Sequence, residues 1–375
     1  MSLASRFPSD SESASAAKIL AFPSLYDSFL ILMTYTPPLP LLLTGVAGVA
    51  GYNAFSYLRR RYGDRVVAVR RTDNWPLALP GIVPCDLDDF EQVQRLFEKY
   101  QFAAVLNCEG TCKLKSCELD PSMARRVNIT SVENLLRAMR GTSTRLVHLS
   151  IDLVFSGVGP GNIREDATPD PVTIYGSTMA EAEQLILTDK SEATILRISL
   201  PMGVSFNGHA GAIDWIQSRF KKHRPATLYF DELRTPTYTD CLNPLLEEVL
   251  ARELPGLYHA GGTRRLSLYE IAQIVNRVGG YAPEHLMGCM RLEAGPIPPR
   301  AGDVTMDSSK LTAALGHQPF DPWPLDPDMV PTHRDWHQER PTSGFQGSPE
   351  LLAKVLYRNP QRRVLLGDDE PTLAS

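Results

Sequence analysis

Eight residues, Thr44-Gly45-Val46-Ala47-Gly48-Val49-Ala50-Gly51, restrict what this chain can fold into more than any other feature. Their glycines follow the apolar run Leu41-Leu42-Leu43 and precede a helical stretch over 52–62. Glycine at these three points lets the backbone turn tightly, approach a ligand closely and pack helix against strand. The first amides of such a helix are free to face an anion, which the helix dipole favours. The arrangement predicts the opening crossover of a doubly wound α/β domain that holds a dinucleotide by its pyrophosphate. Thr44, Gly45, Ala47, Gly48, Val49, Ala50 and Gly51 are the expected contacts.

The pattern downstream agrees. From Pro40 onward, apolar runs of strand length alternate with helical stretches, as βαβ units require. Strands are predicted over 41–44, 66–69, 103–107, 146–150 and 194–198, with a further one before Asp86. Helices are predicted over 90–100 (capped by Asp88 or Asp89), 123–139 and 175–187. Right-handed crossovers place the strands in one Rossmann-type parallel sheet with helices on both faces. This domain is expected over 38–200. After Pro201, loops rich in Pro and Gly mark a smaller C-terminal lobe over 201–337, with helices over 244–253 and 268–278 and a short one opening at Ser308; some later segments return to the sheet. Residues 1–37, rich in Ser and Ala, read as a poorly ordered extension in which Met33 is a candidate start. Residues 338–375 read as a tail carrying an isolated helix over 349–357.

A net charge of -5 with scattered Lys and Arg leaves no basic footprint for nucleic acid. The apolar stretch 29–33 is far shorter than the roughly 18 residues of a membrane span. The six cysteines suit reduced thiols, so the cytoplasm is the expected location. Cys108, Cys112 and Cys117 lack the paired spacing of a zinc ribbon, and no metal is expected. Cys108 is read instead as a small hydrophobe at a strand end.

Where an NAD-selective site offers a carboxylate after the second strand, this chain offers Arg70 and Arg71. Arginine there suits a 2′-phosphate, so NADP(H) is expected and NAD(H) less favoured; the other reading is two solvated arginines. Asp86 and Leu87 are placed to meet the adenine edge, and Asn107 and Pro201, at later strand ends, complete the expected contacts.

Further motifs carry a family resemblance. Residues 145–157 read RLVHLSIDLVFSG, and Arg164-Glu165-Asp166 with Pro169 and Pro171 lead to Tyr175-Gly176-Ser177-Thr178. Val127, Asn128, Asn134 and Leu135, the run from Arg234 to Asp240, Gly256 to His259 and Asp307 to Lys310 add to these. Together with the glycine loop, they resemble the extended short-chain dehydrogenase/reductases over about residues 40–325. Within that family they are similar to the dTDP-4-dehydrorhamnose reductases and to the β regulatory subunit of methionine adenosyltransferase. The resemblance implies hydride transfer from NADPH to the 4-keto group of a nucleotide sugar. A tyrosine would protonate the alkoxide, a lysine four residues on would lower its pKa, and a Ser or Thr would donate to the carbonyl.

Tyr175 is kept, but the lysine position is Met179 and the Ser/Thr position is Ile151. A tyrosine without its cation keeps a pKa near 10 and is a poor acid at neutral pH. Weak or altered activity follows, or a silent NADP(H)-binding subunit acting through a partner. Ser150 should face away from Ile151, as strand neighbours do. Lys113 and Lys115 could replace the missing charge or be simply solvated. His148 reads as a core histidine, and Asp152 as a residue orienting the following loop. Arg234 and Arg300 are candidates to meet a substrate diphosphate, or structural ion pairs. The partner is a nucleotide sugar or a protein, a second copy of the chain included.

Overall fold

Every side chain of the first strand is buried: Leu41 and Leu43 enter one hydrophobic core and Leu42 the other. That division is what a central parallel strand covered on both faces requires. The computed structural model describes residues 35–111, 113–340 and 346–362, so the expected extension lies almost wholly outside the described residues.

β1 (Leu41–Leu43) runs through the glycine loop into α1 (Val49–Tyr62) and β2 (Val66–Arg70). β3 (Ile82–Pro84), α2 (Phe90–Tyr100), β4 (Ala104–Asn107), α3 (Ser131–Met139), β5 (Arg145–Ile151), α4 (Ile174–Asp189) and β6 (Thr194–Ile198) follow. β7 (Gly256–Ala260) completes a sheet in the order β3-β2-β1-β4-β5-β6-β7, with every pair parallel. The order reverses between β1 and β4, and ligands of such sheets bind beyond the strand carboxyl ends at that point.

One local expectation is narrowed and one is corrected. Of the two caps expected for α2, Asp89 serves, accepting the Gln92 N–H at 3.2 Å. The predicted helix over 123–139 is broken: Pro121–Arg125 leads into a π turn, Arg126–Thr130, before α3. A π turn inserts one residue without altering the apolar spacing much, so periodicity hides it. It brings Asn128 to donate to Thr178 Oγ1 at 2.8 Å and to accept the Thr111 N–H at 2.9 Å.

After β6 the chain builds α5 (Ala212–Lys221), α6 (Thr239–Ala251), α7 (Leu268–Val278), α8 (Ser309–Leu315) and α9 (Pro349–Val355). α7 opens with a capping box between Ser267 and Glu270. α6 packs along α1, where Tyr57 donates to Glu247 at 2.7 Å and Arg61 does the same.

The helix expected to stand alone near the C-terminus is instead part of the core. Leu352 and Leu356 are fully buried together with β1 residues in one cluster. Trp323 Nε1 donates to the Leu356 carbonyl at 2.9 Å, and Tyr238 Oη donates to that of Val355 at 2.7 Å. The residues were legible as a helix, but a seven-residue helix has too few hydrogen bonds to persist unaided, and only its docked apolar stripe holds it. Leu352→Ala is therefore expected to cost about 2–5 kcal/mol in urea unfolding; a loss under about 0.5 kcal/mol would show that the segment contributes nothing to the cooperative unit.

Candidate functional site

The glycine loop turns where only glycine fits. Gly45 has φ +65°, and a Cβ on it would lie 2.0 Å from the Cys108 carbonyl oxygen. A Cβ on Gly51 would lie 2.3 Å from the Gly45 carbonyl oxygen. Gly48, the N-cap of α1, supplies no capping side chain, and a Cβ there would meet only the Gly45 oxygen, at 3.5 Å. Ala47 and Gly48 are exposed, whereas Val49 and Ala50 are buried. The first turn of α1 therefore offers uncapped backbone N–H groups beside an accessible loop tip, an arrangement that fits a pyrophosphate.

Beneath the loop, buried hydrogen bonds tie two strand ends to the middle of a third strand. Thr44 Oγ1 donates to Asn107 Oδ1 at 2.6 Å and accepts the Cys108 N–H at 3.1 Å. Asn107 Nδ2 donates to His148 Nδ1 at 2.9 Å, which leaves the ring proton on Nε2, a buried atom without a partner. Burial pushes the His148 pKa down to about 4, so the ring is neutral at pH 7.

The two arginines after β2 differ. Arg70 is buried; its guanidinium donates to the carbonyls of Arg71 at 2.9 Å and Thr72 at 3.1 Å and lies 5.1 Å from the Trp75 ring centre. Arg71 reaches solvent among three carboxylates, Asp88 at 3.4 Å, Asp73 at 3.7 Å and Asp86 at 3.9 Å. Asp86 accepts from the Thr72 N–H at 3.0 Å and from its hydroxyl at 2.6 Å. Partial burial raises its pKa, but these bonds and Arg71 outweigh that and hold it below the usual range. Leu87 is buried in the second core. Sequence reading missed Glu109: it follows β4 by two residues, and its N–H donates to Asn107 Oδ1 at 3.2 Å. Nothing in the periodicity singles it out.

Tyr175, on the first turn of α4, packs with Ile151, Met179, Leu153 and Cys117 in one apolar cluster. The Met179 sulfur would lie 3.6 Å from a Cβ on Gly110. Lys113 and Lys115 are exposed. Ser150 faces the opposite side, as strand alternation dictates, and donates to Glu183 at 2.5 Å, itself paired with Arg197 at 2.6 Å. Pro201 opens the short strand Pro201–Met202, which pairs with Thr237–Tyr238.

Asp152 does not orient the following loop through its side chain. Its carboxylate accepts from Ser199 Oγ at 2.6 Å and from Arg234 Nε at 2.7 Å. Arg234 is buried and lies 3.6 Å from Glu232; Arg300 lies 3.7 Å from Glu232 and over the Tyr229 ring. The structure therefore places both candidate substrate arginines in internal ion pairs, because two buried carboxylates need compensation. Cys117 is buried, Cys108 half-buried, and Cys112 lies outside the described residues. Among the described residues, no three His, Cys, Asp or Glu side chains group as metal ligands, and no helix is long and apolar enough to cross a membrane.

A seven-stranded parallel sheet with a glycine loop at its switch point and a tyrosine heading α4 defines a Rossmann-type extended short-chain dehydrogenase/reductase fold. The chain belongs to the RmlD substrate binding domain family, which residues 39–326 match. It is similar to methionine adenosyltransferase 2 subunit beta of Xenopus laevis, at 24% identity over 72% of this chain and 80% of that one. It is also similar to dTDP-4-dehydrorhamnose reductase of Mycolicibacterium smegmatis, at 27% identity over 76% and 82%. The fold matches the structure of dTDP-4-dehydrorhamnose reductase from Bacillus anthracis in complex with NADP, with a TM-score of 0.64, 21% identity, and 76% and 95% of the two chains covered.

The buried histidines make stability depend on pH. Burial depresses both His148 and His259 to about 4, whereas the unfolded chain titrates them near 6.5. Their contribution is complete above pH 6.5 and is lost as the pH falls toward 4. Urea midpoints should drop between pH 7 and pH 4.5, and His148→Gln should flatten that drop; identical profiles for both chains would refute the assignment.

Proposed function

We propose that this chain binds NADP(H) at the glycine loop, transfers hydride weakly or not at all, and acts through a protein partner. The enclosure of Tyr175 with Ile151 and Met179 in an apolar cluster carries this reading. A tyrosine that protonates an alkoxide needs a nearby cation to lower its pKa and a donor to polarise the carbonyl. Here a thioether and a hydrocarbon stand at those positions, and the two lysines of the neighbouring loop are exposed. Lost acid–base assistance is worth about 10²–10⁴ in rate.

The bound cofactor would supply a hydride in an active relative. In this chain the first-turn amides of α1 would hold its pyrophosphate, and Arg71 its 2′-phosphate. Arg70 is committed to backbone carbonyls, and Arg71 is shared with Asp73, Asp86 and Asp88, so selectivity for NADP(H) rests on one partly compensated charge. A ligand that binds only the folded state stabilises it without turnover, so a cofactor can serve a purely structural or sensing role. The partner would be another subunit or a second copy of the chain. The second reading, a reductase acting on a nucleotide sugar, is favoured by Tyr175 itself, placed on the first turn of α4.

Calorimetry with NADPH and NADH, run beside absorbance assays with NADPH and a panel of 4-keto nucleotide sugars, separates the readings. Binding without turnover, unaffected by Tyr175→Phe, is the expected result. Turnover abolished by Tyr175→Phe would establish the reductase instead, and no heat from either cofactor at millimolar concentration would overturn both. Arg71→Ala should weaken NADPH about tenfold while leaving NADH unchanged. Restoring the missing groups by Ile151→Thr with Met179→Lys should raise any residual rate, and no increase would count against the positions assigned to them.

A further inference from the structure

We propose that the C-terminal segment acts as a strap on the cofactor site: Tyr357 positions the 204–211 loop against the first turns of α1, and this hold slows release of the dinucleotide. The inference rests on the cofactor reading given above.

The loop lies along the helix that opens at the glycines. Asn53, in the second turn of α1, donates through Nδ2 to the Val49 carbonyl at 2.8 Å and to the Val204 carbonyl at 2.7 Å, so one amide joins loop to helix. The Phe206 ring centre stands 6.4 Å from that of Tyr52, and a Cβ on Gly211 would lie 3.2 Å from Val49 Cγ2. Val49 is the first residue of α1, whose uncapped N–H groups are those offered to a pyrophosphate. Both ends of the loop therefore touch α1, while its tip, Asn207 to His209, is exposed.

Asp214, on the first turn of α5, gathers the loop. Its Oδ2 accepts from Ser205 Oγ at 2.6 Å and from the Gly211 N–H at 2.9 Å, so one oxygen holds both ends of the loop. Its Oδ1 accepts from Tyr357 Oη at 2.5 Å. Asp214 is only 5% exposed, and a buried carboxylate oxygen that loses its donor is costly to leave unsatisfied. The three bonds therefore support one another, and the loop is held from the far end of the chain.

Tyr357 is itself fixed from both sides. Before it, Leu352 and Leu356 are fully buried; after it, Asn359 donates its N–H to Asp240 at 2.9 Å and Nδ2 to Asp321 at 2.7 Å. Arg358 donates to Asp240 at 3.1 Å and meets Val204, Tyr52 and Asn53 around one cavity of about 20 Å³. All these strap residues, Leu352 to Asn359, follow the stretch that matches the family, residues 39–326. A wall of the site that the shared scaffold builds is thus set by a segment outside that match.

Tyr357→Phe removes the hydroxyl and leaves the anchors on either side in place. Stopped-flow fluorescence of bound NADPH, chased with excess NADP⁺, should show release from this variant about fivefold faster or more, with association little changed. Ser205→Ala frees the same carboxylate from the loop side and should do likewise; the two changes together should give less than the product of their separate effects. Destabilisation alone would lower the amount of binding protein and leave the release rate as it is. Hydrogen exchange without ligand should quicken in Tyr357→Phe over 204–211 and stay unchanged over 349–356. Unchanged release in both single variants, with the natural chain binding, overturns the strap alone, and so does exchange that quickens as much over 349–356 as over the loop. No NADPH signal from the natural chain overturns the cofactor reading, and this inference with it.

Discussion

The loop that links β1 to α1 can close only because its first glycine has no side chain. Gly45 sits at φ +65° with its α-carbon against the backbone of Cys108 and Glu109, so the first and fourth strands end in contact. Thr44, Asn107 and His148 then lock the ends of β1 and β4 to the middle of β5 in one buried hydrogen-bonded row. An alanine at 45 would force these ends apart, since the obstructing atoms are backbone and cannot rotate away. Every contact proposed for a cofactor at the switch point depends on this approach.

Charge is handled differently in two parts of the structure. Toward the C-terminal lobe, buried carboxylates are matched by arginines: Glu183 by Arg197, and Asp152 and Glu232 by Arg234. Removing one partner there would strand a charge in a poorly polarisable interior, which is why these arginines serve the fold. Beside β2, Arg71 lies among Asp73, Asp86 and Asp88, and Arg70 is turned into the backbone. That imbalance is tolerable because the Arg71 side chain is about half exposed to water.

The surroundings of Tyr175 are apolar. Ile151, Met179 and Tyr175 fill their positions by packing with residues of the β5–α4 loop and of the segment after β4. Such a cluster stabilises the fold and excludes water. The same scaffold is shared by relatives that include both a reductase and a subunit of methionine adenosyltransferase.

Much of the architecture was legible in the residues alone because it rests on local rules. Glycine spacing marked the loop, apolar periodicity marked β6 and α7 to the residue, and the alternation of strand side chains turned Ser150 away from Ile151. Ile151 and Met179 could likewise be read directly as side chains without a hydroxyl or an amine. What the tertiary structure decided were matters of partnership between residues far apart in sequence. Arg234 meets Asp152 across 82 positions, and Leu352 reaches a core begun at Leu41. Glu109 comes to lie with its backbone beside Gly45, a contact that only the packing of the strands reveals. Composition and period describe which residues must be buried or turned; they carry no record of which distant group a buried charge will find, because that is set by how the elements pack.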